Sequence, residues 1–243
     1  MKTLMNLSAL GLLAIFGATA ALADTTTVNS TGVIYAAGTQ SSVAGPAGGT
    51  APSLVSVNGA TSFTFSVSGT ISLNIGSGSN FNDADGNNAA PGTSSNTGSG
   101  SISGMTAPGA GYLVGVFLAP GGPSGAAPAS LDFTAVNGTA FTSLSPLLNQ
   151  VFFIGDGLTG DGTGTSQQFI VPTGAGQLYL GISDACGYNG SPSCYGDNSG
   201  AYTVDFTPAG GSTSVVPEPS SLILLGTGAL GLAGALRRRL KAA

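Results

Sequence analysis

The sequence predicts an all-β fold, an antiparallel jelly-roll β-sandwich, held between two apolar terminal segments. Three observations predict it. Phe63, Phe65, Val67, Ile71, Leu73 and Ile75 keep one parity along the chain, the period-two alternation of a half-buried strand. Further short apolar runs follow at intervals filled by Gly, Asp, Asn and Pro. No window between the termini shows a helical period, so turn-separated strands are left as the building units.

In chain order, Lys2, the apolar stretch Leu4 to Ala20 and Ala21-Leu22-Ala23 form a secretory signal over 1–23, and the mature chain starts at Asp24. The ectodomain, 24–208, is long enough for one domain with a real core. Phe63 to Ile75 is one long strand or a hairpin interrupted at Gly69. Gly76 to Ala110 holds almost nothing apolar and reads as a long loop. Tyr112 to Leu118 is apolar on both faces and suits a central strand. Pro120 to Ser130 is a second loop. Val151 to Ile154, Phe169 to Val171, Leu178 to Ile182 and Tyr202 to Phe206 are strands, and 209–216 is a flexible linker.

Charge is distributed unusually. All five Lys and Arg are terminal (Lys2, Arg237, Arg238, Arg239 and Lys241), while residues 3–236 contain ten Asp and Glu and no His. A surface without cations cannot neutralise phosphates, which excludes nucleic acid as a partner. Uncompensated carboxylates favour hard divalent cations with oxygen ligands. A low-charge acidic secreted protein accounts for most of these acids taken singly.

The tail has three parts. Val216-Pro217-Glu218-Pro219-Ser220 precedes an apolar run from Leu222 to Leu236, and Arg237, Arg238, Arg239 and Lys241 follow. An apolar helix of about 17 residues is roughly 25 Å long, a minimal single membrane span over about 221–236. The basic cluster belongs on the cytoplasmic side, which puts the ectodomain outside. Pro217 and Pro219 keep the junction extended. Segment 217–243 resembles the PEP-CTERM sorting signal of bacteria that make extracellular polysaccharide. The resemblance implies an exosortase-type processing enzyme, an inner-membrane stage before processing, and a final place at the cell surface or in the extracellular matrix. The plain alternative is an ordinary anchor.

The candidate site lies after Leu178 to Ile182. Asp184 leaves that strand, and Tyr195-Gly196-Asp197-Asn198-Ser199-Gly200 returns into Ala201 to Phe206, so Asp184, Asp197 and Asn198 meet at the mouth of two adjacent strands. Gly196 and Gly200 permit sharp turns, and two carboxylates, an amide and backbone carbonyls make a calcium site. Cys186 and Cys194, eight apart in an exported chain, form a disulfide, worth roughly 2–3 kcal/mol in the chain-entropy model. That bridge is either a local staple or the stiffener of the ligand loop.

Leu178 to Val204 resembles the calcium-dependent galactophilic lectins of the PA-I (LecA-like) family, small jelly-roll sandwiches in which protein and sugar hydroxyls share a calcium ion. The resemblance implies metal contacts from Asp184, Asp197 and Asn198, from the carbonyl of Cys194, and from that of Tyr35 in Gly32-Val33-Ile34-Tyr35. Asp184 and Asn198 would touch metal and sugar alike. Tyr112 to Leu118 and Phe153-Ile154-Gly155-Asp156-Gly157 also fit the family. Its sugar-site His is missing; the corresponding region, Asn80 to Asn87, offers Asp83 and Asp85 as ligand-binding residues instead. Taken alone, Asp83-Ala84-Asp85-Gly86-Asn87 reads as a solvated turn, since it lacks the last Glu and the helices of an EF-hand.

Catalysis has little to work with. An ectodomain without His, Lys or Arg has no triad, no imidazole base and no cationic clamp. Paired carboxylates could serve a glycosidase, but Trp is absent and Tyr numbers only six, leaving few sugar platforms. The expectation is a non-enzymatic, calcium-dependent carbohydrate-binding surface protein. Its rival is a structural exopolysaccharide or biofilm matrix protein with the same sandwich and no working sugar site.

Overall fold

The computed structural model describes residues 23–39, 48–73, 81–86, 92–135 and 138–210. The leader as far as Leu22 and everything from Gly211 on, including the expected tail helix, lie outside the described residues. The chain divides into two units, Met1–Gly211 and Ser212–Ala243, and every described residue belongs to the first. Among the described residues no helix is long and apolar enough to cross a membrane.

Fifteen strands form among the described residues: β1 (Asp24–Asn29), β2 (Ser53–Ser56), β3 (Ser62–Ser72), β4 (Ser94–Asn96), β5 (Met105–Ala107), β6 (Leu113–Leu118), β7 (Leu131–Asp132), β8 (Ser143–Leu144), β9 (Val151–Phe153), β10 (Leu158–Gly160), β11 (Thr163–Ser166), β12 (Gln168–Ile170), β13 (Gln177–Ile182), β14 (Asn189–Gly190) and β15 (Ser199–Ala209). Only short 3-10 turns accompany them, so the described residues are all-β, as the period-two pattern predicts. One sheet runs β1-β15-β3-β12-β8 and a second runs β2-β13-β6-β9. A third, β14-β4-β5-β7, consists of two- and three-residue strands, and β10 with β11 is a separate hairpin. Pairing is mostly antiparallel; β8 with β12, β4 with β14 and β5 with β7 are short parallel contacts.

Aromatic side chains join the first two sheets face to face. Phe63 of β3 stands 6.3 Å from Phe117 of β6, and Phe169 of β12 stands 5.5 Å from Phe152 of β9. Each such ring is fully buried or nearly so, a contribution of about 1.5–3 kcal/mol per side chain. The result is sandwich-like. As expected, β6 is central: it lies between β13 and β9, and all six of its residues are buried.

The parity of Phe63 to Leu73 survives in β3, where Phe63, Phe65 and Ile71 are buried and Val67 is half-buried. The hairpin option does not. β3 is one strand, paired with β15 without a break from Ser62 to Ser72. Gly69 interrupts nothing; its φ of 98° and the nearness of the Ala201 carbonyl, 2.6 Å from where a Cβ would sit, explain the glycine. β15 itself continues through Ala209, whose carbonyl accepts the Thr61 N–H at 2.7 Å.

Two expectations need correction. Gly76 to Ala110 is not loop throughout, because it contains β4 and β5. Their inward residues include Ser94 and Asn96, which face a buried polar network, so hydropathy carries no strand signal there. Nor are Leu178 to Ile182 and Tyr202 to Phe206 adjacent. β13 pairs with β2 and β6, β15 with β1 and β3, so the segment 183–198 passes from one sheet to the other.

Candidate cation site at the sheet crossing

Asp184 lies two residues past the end of β13 and is buried, with 3% of its surface exposed. Its backbone is held on both sides. The Asp184 N–H donates to the Tyr195 hydroxyl at 3.0 Å, and the Asp184 carbonyl accepts the Ser193 N–H at 3.2 Å. The Tyr195 hydroxyl donates onward to the Ile182 carbonyl at 3.0 Å. These bonds fix where the carboxylate points.

The carboxylate has two donors. Ala185 N–H reaches Oδ1 at 2.8 Å and the Asn198 amide reaches Oδ2 at 3.0 Å. The same Asn198 Nδ2 donates to the Ser30 carbonyl at 3.1 Å, so two acceptors set the orientation of the amide. Its Oδ1 is buried without a partner, as is Asp197 Oδ1. Burial raises the Asp184 carboxyl to about 7; the bonds from Asn198 and Ala185 lower it, and the charge of Asp197 raises it again.

Around this point the fold gathers polar groups from distant segments. The Tyr35 hydroxyl lies 2.7 Å from Ser183 Oγ, and Asn96 Nδ2 donates to the same oxygen at 2.7 Å. Ser94 Oγ lies 2.6 Å from the Tyr112 hydroxyl. Burial lifts Tyr35 and Tyr195 well above the ordinary phenol range and Tyr112 to about 12, so all three are neutral donors or acceptors here. Tyr35 stands beside Ser183 as part of a 3-10 turn rather than a strand. Sequence reasoning missed Ser30, Ser94, Asn96, Tyr112, Ser183 and Tyr195 as members of this network. Nothing local marks a Ser or Asn as inward-facing.

Cys186 and Cys194 are bridged, with a Cα–Cα distance of 5.2 Å. Cys194 has a φ of 63°, the left-handed region that a non-glycine residue adopts only at a cost. It introduces the 3-10 turn Tyr195–Asp197, and the Asn198 N–H closes that turn on the Tyr195 carbonyl at 3.3 Å.

Asp83 and Asp85 stand elsewhere, with Asp156 and Asp161. Asp85 Oδ1 accepts the Asp156 N–H at 3.2 Å, and its Oδ2 is buried without a partner. Burial first, then the Asp156 charge, raises the Asp85 carboxyl to about 7. Asp156 in turn accepts the N–H groups of Leu158 at 2.7 Å and Gly162 at 2.8 Å, which sets up the β10–β11 hairpin. The structure thus brings Tyr35, Asp184, Cys194, Asp197 and Asn198 to one region and leaves Asp83 and Asp85 in a second acidic group.

Among the described residues no three His, Cys, Asp or Glu side chains gather as metal ligands. The Asp184 region offers side-chain oxygens of another kind: the carboxyl groups of Asp184 and Asp197 and the amide oxygen of Asn198. Two of those oxygens are buried without donors, which suits a hard cation that takes oxygen ligands.

Residues 215–239 match the PEP-CTERM protein-sorting motif. The chain carries an exosortase sorting signal. Such a signal implies export, membrane anchoring before processing, and processing by an exosortase. Pro217, Glu218, Pro219, Arg237, Arg238 and Arg239 all fall inside the matched residues. No curated protein and no solved structure matches the chain.

Proposed function

We propose that this exosortase-sorted surface protein is a calcium-binding module, and that the ion at the Asp184–Asn198 loop receives carbohydrate hydroxyls. One observation carries the calcium reading: Asp197 Oδ1 and Asn198 Oδ1 are buried, unpartnered oxygens near the Asp184 carboxyl, and there is no Lys, Arg or His among the described residues. Asp184, Asp197, Asn198 and the carbonyls of Cys194 and Tyr35 would hold the ion. Calcium commonly keeps open positions that accept vicinal hydroxyls, while carboxylates and amides take the hydroxyl protons. The glycan part rests on that chemistry and on the resemblance of Leu178 to Val204 to the PA-I lectins, with their jelly-roll topology. The role is non-enzymatic.

Burial favours a second reading. Asp184 and Asn198 expose only 3% and 6% of their surfaces, which suits an ion that staples the sheet crossing of a polysaccharide or biofilm matrix protein without touching sugar. Thermal melts in calcium and in chelator test the shared part, and an unchanged melting temperature at millimolar calcium sinks both readings. A glycan array run in calcium separates them. Binding that disappears in Asp184→Ala supports the carbohydrate reading; a stabilised protein that binds no glycan leaves the structural one.

A further inference from the structure

Cys194 sits between the two residues that hold Asp184. Ser193 donates its N–H to the Asp184 carbonyl, and Tyr195 accepts the Asp184 N–H on its hydroxyl. The other half of the bridge joins the same clamp, because the Cys186 N–H donates to Ser193 Oγ at 3.0 Å. Cys194 itself keeps a left-handed backbone, which costs a non-glycine residue energy and persists only where its surroundings hold it. The cross-link to Cys186 is one such restraint, and it acts on the residue that lies between Ser193 and Tyr195.

We infer that the Cys186–Cys194 bridge is a compartment lock on the cation site, which takes its calcium-holding form only after the disulfide has formed outside the cytoplasm. This inference rests on the calcium reading above. Before export the two thiols are free in a reducing compartment. After export they lose two protons and two electrons to a disulfide-exchanging oxidant, and the new S–S bond draws Ser193 and Tyr195 onto Asp184. A chain carrying this lock does not sequester calcium before it has been exported, and it gains its bound ion where the ion is abundant.

The test is calcium titration of the full-length chain in detergent, oxidised and then reduced with a phosphine, with far-UV circular dichroism alongside. Calcium binding at least tenfold weaker in the reduced protein, with the sheet signal retained and affinity restored on reoxidation, is expected. Affinities within twofold overturn the lock and leave the calcium reading standing; no calcium binding by the oxidised protein removes both. A second measurement does not depend on the reduced protein staying folded. Binding and bridging are reciprocal, so calcium must shift the thiol–disulfide equilibrium against glutathione by the same factor. Tenfold corresponds to about 30 mV for this two-electron couple. A shift below twofold in saturating calcium overturns the lock.

Discussion

The Asn198 amide donates to the Asp184 carboxylate at 3.0 Å and to the Ser30 carbonyl at 3.1 Å, joining the end of one sheet to the start of the other. Asn198→Ala removes both bonds and leaves a buried carboxylate short of a donor, so it costs about 1.5–3 kcal/mol in chelator. Asn198→Asp behaves differently. It places a second charge against Asp184, lowers stability in chelator, and recovers most of that loss in calcium. Urea unfolding of both variants, with and without calcium, gives the comparison; equal behaviour of the Asp and Ala variants in calcium contradicts a cation at this point.

Acid should stabilise this protein when calcium is withheld. Asp184 and Asp85 are raised to about 7 by burial. Each therefore keeps a proton in the native state that the unfolded chain has already released. Their contribution is full below the unfolded carboxylate pKa of about 4 and is lost as pH rises through 7. Urea midpoints in chelator should fall between pH 5 and pH 8. Asp85→Asn should flatten part of that slope, while calcium at pH 8 should offset the part due to Asp184.

The Tyr202 hydroxyl is a clamp. It lies 2.6 Å from the Asp83 carbonyl and 2.8 Å from the Gly111 carbonyl, and so ties the turn at Asp83–Gly86 to the approach to β6. Tyr202→Phe keeps the buried ring and removes the donor, which should cost about 1–3 kcal/mol. Hydrogen exchange locates the loss. The Gly86 N–H, bonded to the Asp83 carbonyl at 3.0 Å, should lose protection before the amides of β3 do.

Sorting can be tested apart from the fold. Replacing Pro217-Glu218-Pro219 by alanines should leave export intact and abolish processing, so that the full-length form accumulates in the membrane fraction. An immunoblot of membrane and surface fractions reads this directly. Normal release of the substituted chain would mean that these residues do not direct processing.

The candidate site was only partly readable. Asp184, Asp197 and Asn198 are close in sequence and separated by glycines, so their convergence follows from a short loop. Asn96 reaching Ser183 is a contact 87 residues apart, and Tyr35 reaching Ser183 is one of 148. Pairs of this kind leave no local pattern. They exist because β4 and the turn at Tyr35 are brought to the end of β13, where Ser94, Asn96 and the tyrosine hydroxyls satisfy one another away from water.

Residue order alone settled the all-β class, the period-two parity from Phe63, the central strand ending at Leu118, the Cys186–Cys194 pairing and the sorting motif. Each depends on neighbours in the chain: a period of two, an unbroken apolar run, a spacing of eight, a contiguous tail. The tertiary structure decided that β13 and β15 belong to different sheets, that Ser94 and Asn96 are inward-facing strand residues, and that Tyr195 and Ser193 hold Asp184 from both sides. Those outcomes depend on which surfaces pack together once the aromatic core of Phe63, Phe117, Phe152 and Phe169 has closed, and packing between distant segments is not written in any local period.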